Sequence, residues 1–211
     1  MTEDGRELFK YQKPDIEMNM ELNEEYTKEK AADETPRIYI AADLHLNHAN
    51  IILPSYCNRP FSNVEEMNET LVQNWNAIVR PKDSMYFLGD LAMGRRGTTD
   101  YWLPKLNGQI TFIKGNHDRS KTIPFVDHAI IEHSGIPFYL VHHPYRIPKD
   151  WRDWAIHGHV HNNNVERYLF INMTTKRINA SIEMTGYKPV ALDDIVNLIV
   201  EGQNRPAENN T

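Results

Sequence analysis

Arg37-Ile38-Tyr39-Ile40-Ala41-Ala42-Asp43-Leu44-His45 carries the reading of the fold: a β-rich apolar run stops at a carboxylate and an imidazole. The same event recurs downstream. Met85-Tyr86-Phe87-Leu88 stops at Gly89-Asp90, and Ile110-Thr111-Phe112-Ile113 stops just before Gly115-Asn116-His117-Asp118. Residues 138–141 run into His142, and Trp154-Ala155-Ile156 leads to Gly158-His159-Val160-His161. Such short apolar runs read as buried strands. Side chains just past the carboxyl ends of strands in an open sheet gather on one rim, so these donors are expected to converge. The nearby glycines mark sharp turns or close approaches of backbone.

Between these strands the pattern changes period. Ser62 with Glu65 reads as a capping box, and Val64, Met67, Leu71, Trp75 and Ile78 fall at helical spacing, which predicts a helix with a core-facing stripe. Residues 168–171 and 178–182 are expected to pair as strands, and a short helix around 193–200 to close the domain. There is no internal repeat.

Composition narrows the class. Of 211 residues, 40% are hydrophobic and 25% charged, as in ordinary globular proteins. Residues 1–36 hold eleven acidic and five basic side chains, which accounts for the whole net charge of −6. The remainder is neutral, so no large basic surface for long nucleic acids is expected. No run approaches the ~18 apolar residues of a membrane span, and the acidic N-terminus lacks a signal-peptide pattern. Cys57 stands alone, so no intrachain disulfide forms, and it reads as a packing residue. The expectation is a cytoplasmic protein without membrane contact. Its layout is an acidic flexible extension over 1–36, one domain over 37–203 and a tail over 204–211. Within the extension Ile16, Met18, Met20 and Leu22 alternate with polar residues, which leaves a half-buried strand open as the other reading.

The gathered donors are Asp43, His45, Asp90, Asn116, His142, His159 and His161, with His117 beside them. This mixed oxygen and nitrogen set suits Mn, Fe or Zn better than a thiolate-seeking metal, and Mg or Ca would want more oxygen. Seven donors exceed one tetrahedral site and fit two sites sharing a carboxylate. A pair of divalent cations can activate water and clamp the oxygens of an in-line phosphoryl displacement.

The order Asp43-Leu44-His45, Gly89-Asp90, Gly115-Asn116-His117-Asp118, His142, Gly158-His159-Val160-His161 resembles the calcineurin-like metallophosphoesterase superfamily. Asp43-Leu44-His45-Leu46-Asn47-His48 with Arg59-Pro60-Phe61 is similar to a subgroup of small, single-domain predicted phosphoesterases from prokaryotes and their phages. The resemblance implies an α/β fold, a calcineurin-like sandwich of two mixed β-sheets flanked by helices. It implies Asp43, His45 and His161 on a first metal, Asn116, His142 and His159 on a second, and Asp90 bridging both. It makes His117 the acid for the leaving group. The cofactor it implies is two divalent metal ions, manganese first, with iron, zinc or nickel as alternatives.

The expected reaction is hydrolysis of a phosphodiester by a hydroxide bridging the metals, on a small phosphate ester or short nucleic acid. The alternatives are a phosphomonoesterase, a protein phosphatase, or a metal-binding scaffold without catalysis. His48, Arg59, Arg119 and Arg146 are candidate substrate contacts, the arginines because a guanidinium forks onto oxyanions. His128 and His133 lie outside every motif and read as structural. Adjacent strand residues face opposite ways, so only one of His142 and His143 is expected to reach the metals, and the motif order favours His142.

Overall fold

The computed structural model describes residues 35–95 and 97–204. The alternating residues of the N-terminal extension, and the tail from 205 onward, lie outside them.

Each apolar run before a donor is a strand: β1 Ile38–Ala41, β2 Ser84–Phe87, β3 Gln109–Phe112, β5 Ile136–Val141 and β6 Trp154–His157. Between β3 and β5 lies β4 His128–His133, and after β6 come β7 Ile171–Asn172, β8 Arg177–Asn179 and β9 Val190–Ala191. The helices are α1 Val64–Ile78, α2 Thr98–Trp102 and α3 Leu192–Asn204. No helix among the described residues is long and apolar enough to cross a membrane.

Two mixed sheets result, ordered β3-β2-β1-β9 and β4-β5-β6-β8-β7. The pairs β1–β2 and β2–β3 are parallel, as are β5–β6 and β6–β8. Parallel pairing is what sends the donors that follow β1, β2 and β3 to one end of their sheet, and those that follow β5 and β6 to one end of theirs. Alternation along β1 splits its side chains. Ile40 and Ala42 pack with Leu140, Ile156 and Ile178 of the other sheet and with α3, while Tyr39 and Ala41 face Met67, Leu71 and Trp75 of α1. The layers are therefore helix, sheet, sheet.

The start of α1 differs by one residue from the sequence expectation. Asn63 is the cap, its side-chain oxygen accepting from the Glu66 amide, while Glu66 accepts from the Ser62 amide. The box is therefore Asn63 with Glu66 rather than Ser62 with Glu65. The predicted strands at 168–171 and 178–182 do pair, but only over β7 and β8.

Asp83, fully buried in the turn before β2, accepts from the backbone amides of Arg37 and Arg80 and from the Arg80 guanidinium. Burial opposes its charge, but these donors outweigh it and hold its pKa at about 2 against an ordinary 3.8. A depressed acid stabilises the fold at pH values above its unfolded pKa, and that contribution fades as pH falls toward about 2. Asp83→Ala is expected to cost about 1–3 kcal/mol at neutral pH by stranding those amides. Urea denaturation at pH 7 and near pH 2 checks this, because the deficit should be present at the first and shrink at the second.

Candidate metal centre

The expected donors meet at one rim in two groups of converging atoms. Asp43, His45 and His161 form one, and Asp90, His142 and His159 the other. Asn116 joins the second, its Oδ1 lying 2.9 Å from both His142 Nε2 and His159 Nδ1. Asp90 stands between the groups. Its Oδ2 is 3.5 Å from His45 Nε2 and 3.5 Å from His142 Nε2, so a single carboxylate faces both.

The backbone is bent to make this possible. Asp43, His45, Asp90, His159 and His161 all have positive φ, between 49° and 72°. Left-handed non-glycine residues cost of order 1–3 kcal/mol each and persist where the surroundings hold them, typically at functional sites. Two glycines let the backbones close in. A Cβ on Gly115 would sit 2.1 Å from Asp90 Oδ1, and one on Gly158 would sit 2.6 Å from Asp43 Oδ2. Glycine precedes Asn116 and His159 because the carboxylate of another strand's loop occupies the space of its side chain.

Secondary contacts aim the donors. His142 Nδ1 donates to the Leu88 carbonyl at 2.7 Å, so in the neutral ring Nε2 holds a lone pair toward the cluster. Asp43 Oδ2 accepts from the His159 amide, and Asp90 Oδ1 from the His117 amide. Asp118 accepts from the amides of Asp90, Leu91 and Gly115 and so ties two of the loops together.

The donor set fits cations. Asp43 Oδ1 and both ring nitrogens of His45 are buried without a hydrogen-bond partner, an arrangement that costs free energy unless something else binds them. His142 Nε2 and Asn116 Oδ1 face each other as two acceptors. The electrostatics agree. Burial, then His161, holds His45 well below the usual histidine range. Burial, with Asp43 and Asp118 adding to it against an opposing His142, raises Asp90. Burial, then His143 and His142, lowers His159 to about 4. Imidazoles kept neutral and a carboxylate whose charge is disfavoured form a donor set that divalent cations would satisfy.

Arg59 corrects one sequence expectation. It is not placed to contact phosphate, because its side chain is buried behind the donors. Its Nη2 donates to the Asp43 carbonyl and Nη1 to the Leu44 carbonyl, while Nε and Nη2 both donate to Glu183 Oε1. That oxygen also accepts from His161 Nδ1 at 2.9 Å. Glu183 is the residue that sequence reasoning missed. Burial disfavours its charge, yet Arg59 and then His161 outweigh burial and hold it at about 2. Burial likewise opposes a charged His161, but Asp43, Cys57 and Glu183 outweigh it and lift His161 to about 11. One buried ion pair thus braces the Asp43–His45 loop and the His161 ring together.

The remaining candidates divide. His48 lies 5.5 Å from the His45 ring in a cavity that also takes in His117. Arg146 lines a second cavity, beside Asn116 and His142. Arg119 stands in a neighbouring hollow with Lys114. His117 is exposed, its ring 5.5 Å from that of His45, and burial then His142 lower its pKa. Of the adjacent pair only His142 joins a donor group, although His143 stays close to it. β5 ends at Val141, so strand alternation no longer applies, and the His143 ring rests 4.0 Å from that of His159. His128 stacks on Tyr139 and His133 pairs with Asp193, away from the cluster.

Two mixed sheets that gather Asp, His and Asn donors at one rim define a metal-binding phosphoesterase domain. The calcineurin-like phosphoesterase profile matches residues 36–184, and the chain belongs to that family. The Methanocaldococcus jannaschii protein MJ1445 is 49% identical over 79% of this chain and 93% of its own. The gene 66 protein of Mycobacterium phage L5 is 24% identical over 76% of this chain and 93% of its own. The crystal structure of a protein of unknown function, AQ665 of Aquifex aeolicus, superposes with a TM-score of 0.57 at 26% identity, covering 78% of this chain and all of that one. The family is one of metal-dependent phosphoester hydrolysis.

Proposed function

We propose that this chain is a dinuclear-metal phosphodiesterase. The observation that carries the reading is the position of Asp90, one oxygen of which lies 3.5 Å from a histidine of each donor group. Asp43, His45 and His161 would hold one cation, Asn116, His142 and His159 the other, and Asp90 both. When bound, two divalent cations supply positive charge for the phosphoryl oxygens and an activated water. Manganese suits the mixed donors, with iron, zinc or nickel as alternatives.

The chain's own residues do the rest. Asp43, His45, Asp90 and His142 are buried while Asn116, His117 and His159 reach the surface, so the substrate enters from the side of these three. His117 carries an imidazole that neither donor group uses, and its place beside His45 lets it give a proton to the departing alkoxide. Asn116 adds an oxygen ligand without adding charge, which keeps the donor set from repelling an anionic ester. A diester monoanion asks for less neutralisation than a monoester dianion. For these reasons the diester is favoured over the monoester or phosphoprotein.

Chelation followed by manganese reloading provides the test. Catalytic efficiency on bis-p-nitrophenyl phosphate should exceed that on p-nitrophenyl phosphate. His117→Ala should keep its metal while the rate falls about 10²–10⁴-fold, less for good leaving groups that need no proton. A monoester preference would move the reading to a phosphatase, and equal losses across leaving groups would remove His117 as the acid.

A further inference from the structure

Two cavities open on different donor groups, and their chemistry differs. The first, about 390 Å³, opens on His45 and His161 and extends between Ile51, Tyr56 and Met93. Among the described residues lining it there is no Lys, Arg, Asp or Glu. The second, about 260 Å³, opens on Asn116 and His142, and its wall carries Lys114, Arg146 and one acid, Asp127. Arg119 adds a further cation in the hollow that shares Lys114. The donor rim therefore has a histidine-lined, partly apolar side without lysine or arginine and a side that carries both.

His117 fixes which side receives the leaving group, because it lines the first cavity and not the second. An alcohol protonated by His117 departs beside Tyr56 and Met93. Tyr56, Met93 and Ile51 accommodate an uncharged ring, and that wall has no lysine or arginine to draw a further phosphate. The phosphate that stays behind is bonded on its other side to a group directed at Lys114 and Arg146, whose cations favour an oxyanion.

We propose that the substrate is a phosphodiester with one uncharged, nucleoside-like leaving alcohol, whose retained half bears a further phosphate held by Lys114 and Arg146. The inference rests on the diesterase reading above and adds a direction to it. In the reaction a water oxygen bonds to phosphorus as the bond from phosphorus to the leaving oxygen breaks. The alkoxide takes its proton from His117, the attacking water releases one to solvent, and His117 is reprotonated from solvent. The products are a neutral alcohol and a bisphosphorylated remainder.

Three probes separate the outcomes: the dinucleotide thymidylyl-thymidine, its 5′-phosphorylated form and its 3′-phosphorylated form, each with the manganese-loaded full chain. A terminally phosphorylated form is expected to show about 10-fold higher kcat/KM than the plain dinucleotide, carried mainly by KM. Its products should be thymidine and thymidine 3′,5′-bisphosphate, whichever end bears the extra phosphate. In Lys114→Ala/Arg146→Ala the ratio of efficiencies should fall toward one. Product identity is read on the unaltered chain, so it holds even if the double variant folds poorly. Two nucleoside monophosphates as products, or equal efficiencies, would overturn the assigned direction and leave the diesterase reading standing. So would turnover of bis-p-nitrophenyl phosphate with none of the dinucleotides. Inactivity on every ester, by protein shown to hold two cations, would overturn both.

Discussion

Asp90→Asn is expected to lose both cations and, with them, turnover, while the metal-free protein folds at least as well as before. The shape argument comes first. Asparagine keeps an oxygen to accept from the His117 amide, as Asp90 Oδ1 does now, so the loop geometry survives. The charge argument comes second. Asp90 is buried beside Asp43 and Asp118, and that environment penalises its ionised form unless cations are present. Removing the charge therefore relieves the empty site and starves the loaded one. The loss of activity should exceed the roughly 10–100-fold that changes to outer partners of metal ligands produce. Elemental analysis and thermal denaturation with and without manganese report both halves. Metal-free Tm should hold or rise, and the metal-induced rise should vanish. A variant that still carries two cations and turns over near normally would take Asp90 off the bridge.

The convergence of donors on one rim was legible in the sequence because its physics is local. A strand that must be buried is written in apolar residues, and a donor that must leave the sheet follows at once, so the ends of β1, β2, β3, β5 and β6 could be read directly. The glycines read as close approaches, and Gly115 and Gly158 are that. What failed to show was whatever depends on a partner far along the chain. Arg59 looks like any exposed guanidinium until Glu183, 124 residues away, is brought against it. Glu183 sits in no motif. Its one signal is a carboxylate within Ala180-Ser181-Ile182-Glu183-Met184, an otherwise uncharged stretch beside a strand. Strand β4 was missed because its exposed and half-buried residues alternate weakly along an edge. His142 and not His143 enters a donor group, as expected, but His143 stays beside His159 because strand alternation ends with β5 at Val141.

The Arg59–Glu183 pair carries the second large effect, and it divides stability from metal binding. Both side chains are buried, at 0% and 2% exposure, so neither charge has water to fall back on. Arg59→Met takes the guanidinium from the Glu183 carboxylate, leaving it His161 alone, and is expected to cost about 3–5 kcal/mol of folding free energy. Replacing both, as Arg59→Met/Glu183→Leu, removes the stranded charge, and most of that stability should return. The metal site should not recover with it. His161 Nδ1 would have lost the acceptor that holds its ring, and the Asp43 and Leu44 carbonyls the guanidinium that holds their loop. Affinity of the Asp43–His45–His161 group for its cation is then expected to fall about 10–100-fold, while the group of His142, His159 and Asn116 keeps its own. Denaturation curves measure the first quantity, and competition with a chelating dye measures the second as two separate sites. A doubly substituted protein that binds both cations with unchanged affinity would show that the ion pair serves the fold alone. Loss of one cation from a protein as stable as the original would show that Arg59 and Glu183 are there to aim the ligands.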